Sequence, residues 1–146
     1  MELQTYILFF FQIIGVYFGV INLEKTQGIS RATFNIKTLL QIFYTGIIVM
    51  PLLEESLFRG VLKQYLSDYP YSDYVNGLIF GLVHIQNYSF HHNIFFTLLQ
   101  IISASYGGYY LVQFESFLSA YLVHAYYNLV AIGGSLILYY LKHKNE

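Results

Sequence analysis

A polytopic, all-α bundle of about five membrane helices is the fold class this sequence predicts. Three observations predict it. Composition comes first: 56% of the 146 residues are hydrophobic, 20% aromatic and only 10% charged, against about 25% charged in an average soluble chain. Placement comes second. No Asp, Glu, Lys or Arg occurs in residues 3–23, 38–53, 74–114 or 116–141. A charge-free apolar run of about 18 or more residues is long enough to cross about 30 Å of hydrocarbon as a helix. Third, tyrosines gather where such helices would end (Tyr65, Tyr69, Tyr71 and Tyr74; Tyr106, Tyr109 and Tyr110; Tyr139 and Tyr140). Amphipathic rings favour the headgroup level.

The segments follow in order. Leu3–Leu23 lacks a basic leader and a small-x-small cleavage site, so it reads as a retained first helix. Ile36–Tyr65 is one apolar pass that acquires charges in its last turns. Ser67–Asp73, with Pro70 at its centre, is a loop. Tyr74–Tyr88 is short for a full span, His91-His92-Asn93 marks another loop, and Asn93–Val112 and Ser116–Leu141 complete the bundle. Gly15-x-x-x-Gly19 and Gly77-x-x-x-Gly81 suit close helix approach. Lys25, Arg31 and Lys37 fall on the same side as Lys142 and Lys144 if the passes number five, which predicts an outside N-terminus and a cytoplasmic C-terminus.

Some functions are excluded at once. Without cysteine there is no disulfide, thiol nucleophile or Cys-ligated metal. A net charge of −1 and the absence of a basic run argue against nucleic acid. The expected partners are the lipid bilayer and a peptide or membrane-protein substrate; the oligomeric state is not legible.

Chemistry concentrates in three strings. Glu54-Glu55 and Arg59 end the second apolar run, where an ionised residue costs about 2.5–3.5 kcal/mol at a helix centre. Glu55 and Arg59 are i,i+4 neighbours and can pair, which leaves Glu54, about 100° round the helix, pointing elsewhere. A carboxylate in an apolar pocket can act as a general base; the plainer reading is an ion-pair staple between helices. Phe80 and His84, and likewise His124 and Asn128, share helical faces. A lone intramembrane histidine is commonly a packing residue. Two histidines, an asparagine and an acidic pair from separate apolar helices supply a base, a water-orienting group and oxyanion donors. Neither His84 nor His124 is followed by Glu, so the His-Glu-x-x-His zinc motif is missing. Ser103, Ser105 and Ser135 lack a nucleophile setting, and Asp68 and Asp73 flank a loop rather than lying in the membrane. Zinc on Glu54, His84 and His124 stays open as an alternative. His91 and His92 read as interfacial loop residues.

Glu54-Glu55-Ser56-Leu57-Phe58-Arg59, Phe80-Gly81-Leu82-Val83-His84 and His124-Ala125-Tyr126-Tyr127-Asn128 resemble, in order, the Glu-Glu-x-x-x-Arg, Phe-x-x-x-His and His-x-x-x-Asn motifs of the CPBP (ABI, abortive infection) intramembrane proteases. That family includes type II CAAX prenyl endopeptidases and bacteriocin-processing or self-immunity proteins. The similarity spans residues 39–141, leaving 1–38 as an additional helix with its basic loop and 142–146 as a basic tail. The resemblance implies that Glu54 and His84 activate a water, that His124 and Asn128 stabilise the oxyanion, and that Glu55, Arg59 and Phe80 support the site. It implies no cofactor, although members have been labelled metalloproteases. The chain is smaller than the larger prenyl-protein proteases, which leaves less protein to shelter a lipid tail. The contrasting expectation is a non-catalytic immunity or peptide-binding protein of the same fold.

Overall fold

A computed structural model describes residues 2–27 and 36–143. Arg31 and Lys144, two of the residues that suggest an orientation, lie outside the described residues. The described chain forms five helical rods, which we number α1 to α5. The first, α1, is Glu2–Gln27. The second, α2, runs unbroken over 36–65, but its winding alternates: α-helical Ile36–Phe43, π-helical Tyr44–Val49, α-helical Met50–Glu55, π-helical Ser56–Leu62 and a closing α-turn Lys63–Tyr65. Helix α3 spans 72–91, beginning as an α-helix (Ser72–Leu82), tightening to 3-10 winding (Val83–Asn87) and ending in the turn Tyr88–His91. Ile94–Val112 forms α4 and Phe117–His143 forms α5.

Local chemistry sets the boundaries. Tyr71 and His92 take the left-handed conformation (φ 63° and 50°) at the start of α3 and at its end. Asn93 then caps α4, its Oδ1 accepting the Phe96 N–H at 3.2 Å. The last carbonyl of α4, Val112 O, lies beyond the reach of i+4 donors, and Lys63 Nζ from α2 donates to it (2.6 Å). One turn earlier Arg59 Nη2, also from α2, donates to Gly108 O (3.0 Å).

The molecule is apolar outside and mixed within. Leu3, Phe9, Ile13, Leu53, Val61 and Phe95 are among many large hydrophobic side chains left exposed. The buried polar set (Glu55, Arg59, Asn76, Thr97, His124 and Ser135) is as large as the buried apolar one (Leu8, Phe58, Phe80, Leu111, Val112 and Ala120). A protein that lives in lipid has this distribution, because hydrocarbon surrounds it and polar groups must find partners inside. Leu39–Tyr65, Ile94–Val112 and Phe117–Lys142 are long and apolar enough to cross a bilayer; in α1 the apolar stretch Tyr6–Tyr17 is shorter. All five expected segments are helices within a few residues of their expected limits, and three of them meet the length for a span.

Two close contacts hold the bundle together. Along α3 and α4, a Cβ at Gly77 would come within 2.6 Å of Tyr109 N, and one at Gly81 within 2.5 Å of Ile101 O. Gly77-x-x-x-Gly81 is therefore a backbone-to-backbone contact, as its spacing suggests. Along α1 and α5, Gly19 lies against Ser135, whose single hydroxyl proton is within hydrogen-bond reach of Val16 O across the contact (2.9 Å) and of Ala131 O in its own helix (2.6 Å). Gly15 behaves differently, with no atom within 4 Å of a Cβ built there.

Gly81→Ala should lower the thermal midpoint in detergent, because the clash is with backbone that cannot rotate away; overpacking of this kind costs about 1–3 kcal/mol. Gly133→Ala in α5, where an added Cβ meets nothing within 4 Å, should leave the midpoint unchanged or raise it, by up to about 1 kcal/mol of helix propensity. Thermal unfolding of both variants alongside the parent checks the contrast.

Candidate active site

The site is assembled around a carboxylate with no access to solvent or lipid. Glu55, the last residue of the α-helical turn Met50–Glu55, is 0% exposed. Its Oε2 lies 3.0 Å from Arg59 Nε, one turn on, the i,i+4 pairing that the sequence spacing suggests. Its Oε1 accepts a 2.7 Å hydrogen bond from His124 Nδ1, brought in by α5. A buried charge needs compensation, and Glu55 finds it in a local ion pair, whose Oε2 and Nε are close without being aligned as a hydrogen bond, and in a distant hydrogen bond from His124. Arg59 is anchored in turn by Gly108 O and by the face of the Phe80 ring, whose centroid is 5.2 Å from Cζ.

Because Nδ1 of His124 donates to Glu55, its other nitrogen is fixed in direction. Nε2 faces Glu54 Oε2 at 3.4 Å. The imidazole therefore bridges the two carboxylates, and the charge-bearing atoms of Glu54, Glu55, Arg59 and His124 form one connected cluster. Glu54 is the most open of the four, with 23% of its side chain exposed. It makes no ion pair with Arg59, as its helical position suggests, but it does contact His124.

Phe80 is the hub of the aromatic surroundings. Its ring packs edge-on to Phe58 (centroids 4.9 Å apart) and contacts both His84 (5.2 Å) and His124 (5.7 Å). Gly108 makes room for it, since a Cβ there would meet Phe80 Cβ at 2.8 Å. The His84 imidazole is oriented from its own helix: Nδ1 is 2.8 Å from Phe80 O. A carbonyl only accepts, so Nδ1 carries the proton and Nε2 keeps its lone pair.

Asn128 has a partner that only the winding of α2 explains. In the π-helical stretch the Met50 N–H bonds to Thr45 O, five residues back. The next carbonyl in that register, Gly46 O, would take the N–H of residue 51. That residue is Pro51 and has none. Asn128 Nδ2 supplies the missing donor at 2.8 Å. A side-chain amide carries two N–H groups, so one remains after this bond.

His84, His124, Asn128 and Phe80 all line one internal cavity of about 220 Å³. Its remaining wall includes Gln100, Ser103 and Tyr110 from α4, Tyr127 from α5, and Leu8, Phe11, Gln12 and Gly15 from α1. Glu54 is not among the lining residues and approaches the cavity through its contact with His124. Gln12 and Gln100 are residues that the sequence reading passes over. The signal available was an uncharged amide inside an apolar run, a weaker mark than a charge. His92 lies at the α3–α4 turn, exposed and ring to ring with Tyr88, as a loop residue would be. Among the described residues no three His, Asp or Glu side chains converge to hold a metal ion, and Glu54, His84 and His124 do not form such a set.

Helical rods with a lipid-like exterior, a cavity between them and a Glu–His–Arg cluster at its wall define an integral membrane protein with a candidate site among its helices. The chain belongs to the type II CAAX prenyl endopeptidase Rce1-like family, whose model matches residues 35–130. It is thus a member of a family of membrane proteases. No curated protein and no solved structure matches it. The matched segment holds all three motifs and omits α1.

Breaking the buried pair should be costly: Glu55→Gln strands Arg59, and losses of about 3–5 kcal/mol are typical of such changes. A second expectation concerns Pro51. Asn128→Ala should destabilise the parent by about 0.6 kcal/mol, an average hydrogen bond between membrane helices. It should cost less in a Pro51→Ala background, where the restored N–H can serve Gly46 O. A double-mutant cycle read by thermal unfolding in detergent measures the coupling.

Proposed function

We propose that this protein is a glutamate-dependent intramembrane endopeptidase. The observation that carries the reading is the His124 imidazole held between Glu55 at 2.7 Å and Glu54 at 3.4 Å, at the wall of a cavity that His84 and Asn128 also line. Family membership supports peptide-bond hydrolysis.

In the proposed reaction a water is held between Glu54 and the lone pair of His84 Nε2. Glu54 takes one proton as the water oxygen attacks the scissile carbonyl carbon. Charge develops on the carbonyl oxygen, where the second N–H of Asn128 donates to it, together with His124 Nε2 when the ring is the imidazolium with a proton on each nitrogen. Collapse breaks the C–N bond, and the proton held by Glu54 passes to the departing amine. Glu55 and Arg59 touch no reacting atom in this scheme; Glu55, held by Arg59, accepts from His124 Nδ1 and so fixes the direction of the ring. The Asn128 bond to Gly46 O has the corresponding effect, fixing the amide so that its free N–H keeps one orientation. The scheme contains no metal step.

Glu54→Gln should abolish cleavage while the protein folds and unfolds like the parent. Purified Glu54→Gln protein that cleaves at the parental rate would overturn the mechanism. Asn128→Ala should lower kcat by about 10²–10³ with KM little changed, the effect of losing one oxyanion donor. Steady-state kinetics on folded protein separate this from the small stability loss described above. Cleavage should survive exhaustive chelation; loss of activity that stoichiometric zinc restores would instead favour a site built on Glu54, His84 and His124.

A further inference from the structure

The family match begins at residue 35, yet the cavity is closed on one side by α1, through Leu8, Phe11, Gln12 and Gly15. Three features of this helix differ along its length. At Val16 and Gly19 it lies tight against Ser135 of α5. At Gly15 the contact opens, and space takes the place of packing. One turn further toward the N-terminus, Gln12 Nε2 donates to Tyr127 O at 3.1 Å. Tyr127 is the neighbour of Asn128, so this bond sets the Gln12 amide beside the proposed oxyanion donors. The bond uses one N–H. The Gln12 carbonyl oxygen and its second N–H remain, an acceptor and a donor in the same arrangement that a peptide group presents.

The other lining residues narrow the occupant. None is Asp, Glu, Lys or Arg, so a charged substrate side chain would enter without a counter-charge, at high cost in this setting. The wall is mostly apolar, and polar groups of Gln100, Ser103, Tyr110 and Tyr127 interrupt it. At about 220 Å³ the cavity is also smaller than the roughly 300–1,000 Å³ of sites that enclose whole drug-sized ligands. It suits a short piece of a chain with its backbone groups.

We propose that α1 completes the substrate site, with the Gln12 amide pairing to the backbone of an uncharged stretch of the substrate peptide next to the bond to be cut. This rests on the endopeptidase reading above, and makes a residue outside the family-matched segment a determinant of substrate binding.

Photo-crosslinking tests it without requiring turnover. A benzophenone amino acid is introduced at position 12 or, as control, at position 13, since Ile13 is 56% exposed on the outer face of the same helix. Each protein carries Glu54→Gln and is irradiated with a biotin-tagged synthetic peptide of uncharged residues, and separately with one bearing Lys and Asp. Strong labelling at position 12 by the uncharged peptide, background labelling at position 13 and weak labelling by the charged peptide are expected. Equal labelling at the two positions, no labelling at position 12, or equal labelling by both peptides overturns the proposal. In the enzyme with Glu54 intact, Gln12→Leu should raise KM about three- to tenfold, the loss of one hydrogen bond, with kcat nearly unchanged and Gln12→Asn less affected. A parent protein that cleaves no peptide would defeat the endopeptidase reading alone, because the contrast between positions 12 and 13 is scored independently of cleavage.

Discussion

The Glu55 carboxylate, fully buried and held by Arg59 at 3.0 Å and His124 at 2.7 Å, is the constraint from which the rest of the site follows. An unpaired charge at that depth would be costly enough to unfold a small bundle. Each of its partners is therefore obliged to be where it is, and each brings a helix with it. Arg59 carries α2 to the end of α4 through Gly108 O, and Lys63 repeats the attachment one turn later at Val112 O. His124 carries α5 to α2. Phe80, under the Arg59 guanidinium and between the two imidazoles, completes the enclosure from α3. Four helices meet at one ion pair, which is how a protein with few buried apolar side chains acquires a defined interior.

The winding of α2 gives that arrangement its particular geometry. Two π-helical stretches flank the turn that bears Glu54 and Glu55, and π-bulges are frequent at functional sites. Each wide turn shifts the faces of the helix relative to an α-helix, and each disturbs the regular backbone pairing. At the first, Pro51 leaves Gly46 O without a helical donor, and Asn128 fills the position from α5. At the second, Phe58 O accepts both the Lys63 N–H and Asn76 Nδ2 at 2.8 Å, tying in α3. Departures from ideal winding become the points at which neighbouring helices are gripped. In hydrocarbon these carbonyls have no water to turn to, so side-chain amides do the work that solvent does elsewhere.

Helix α1 stands apart from this network and meets it only across the cavity. Its tight contact with α5 at Gly19 and its open one at Gly15 leave a space beside the ionisable cluster. The cavity wall and the ionisable cluster share His124, so in the proposed reaction binding and chemistry are joined through one ring.

How much of this could be read from the chain alone varies with distance along it. The helical segments, the loop at Pro70, the Asn93 turn and the Glu55–Arg59 pair were legible, because each depends on residues at most a few positions apart. Charge-free run length, turn formers and i,i+4 spacing report such local facts directly. The motifs identified which residues would gather, and Glu54, Glu55, Arg59, Phe80, His84 and His124 do gather. Their bonding partners were not legible. Nothing near Asn128 announces Gly46, which is 82 positions away, and nothing in residues 44–49 announces π winding. The bridging of both carboxylates by His124, the wall that α1 contributes and the divergence of Gly15 from Gly19 likewise depend on how rods pack. The sequence by itself determined that this chain forms membrane helices carrying an acidic pair and its counter-ion. Only the tertiary structure decided which lone pair faces which proton, because that is set by helix rotation and approach, quantities fixed jointly by all the contacts and by no single stretch of residues.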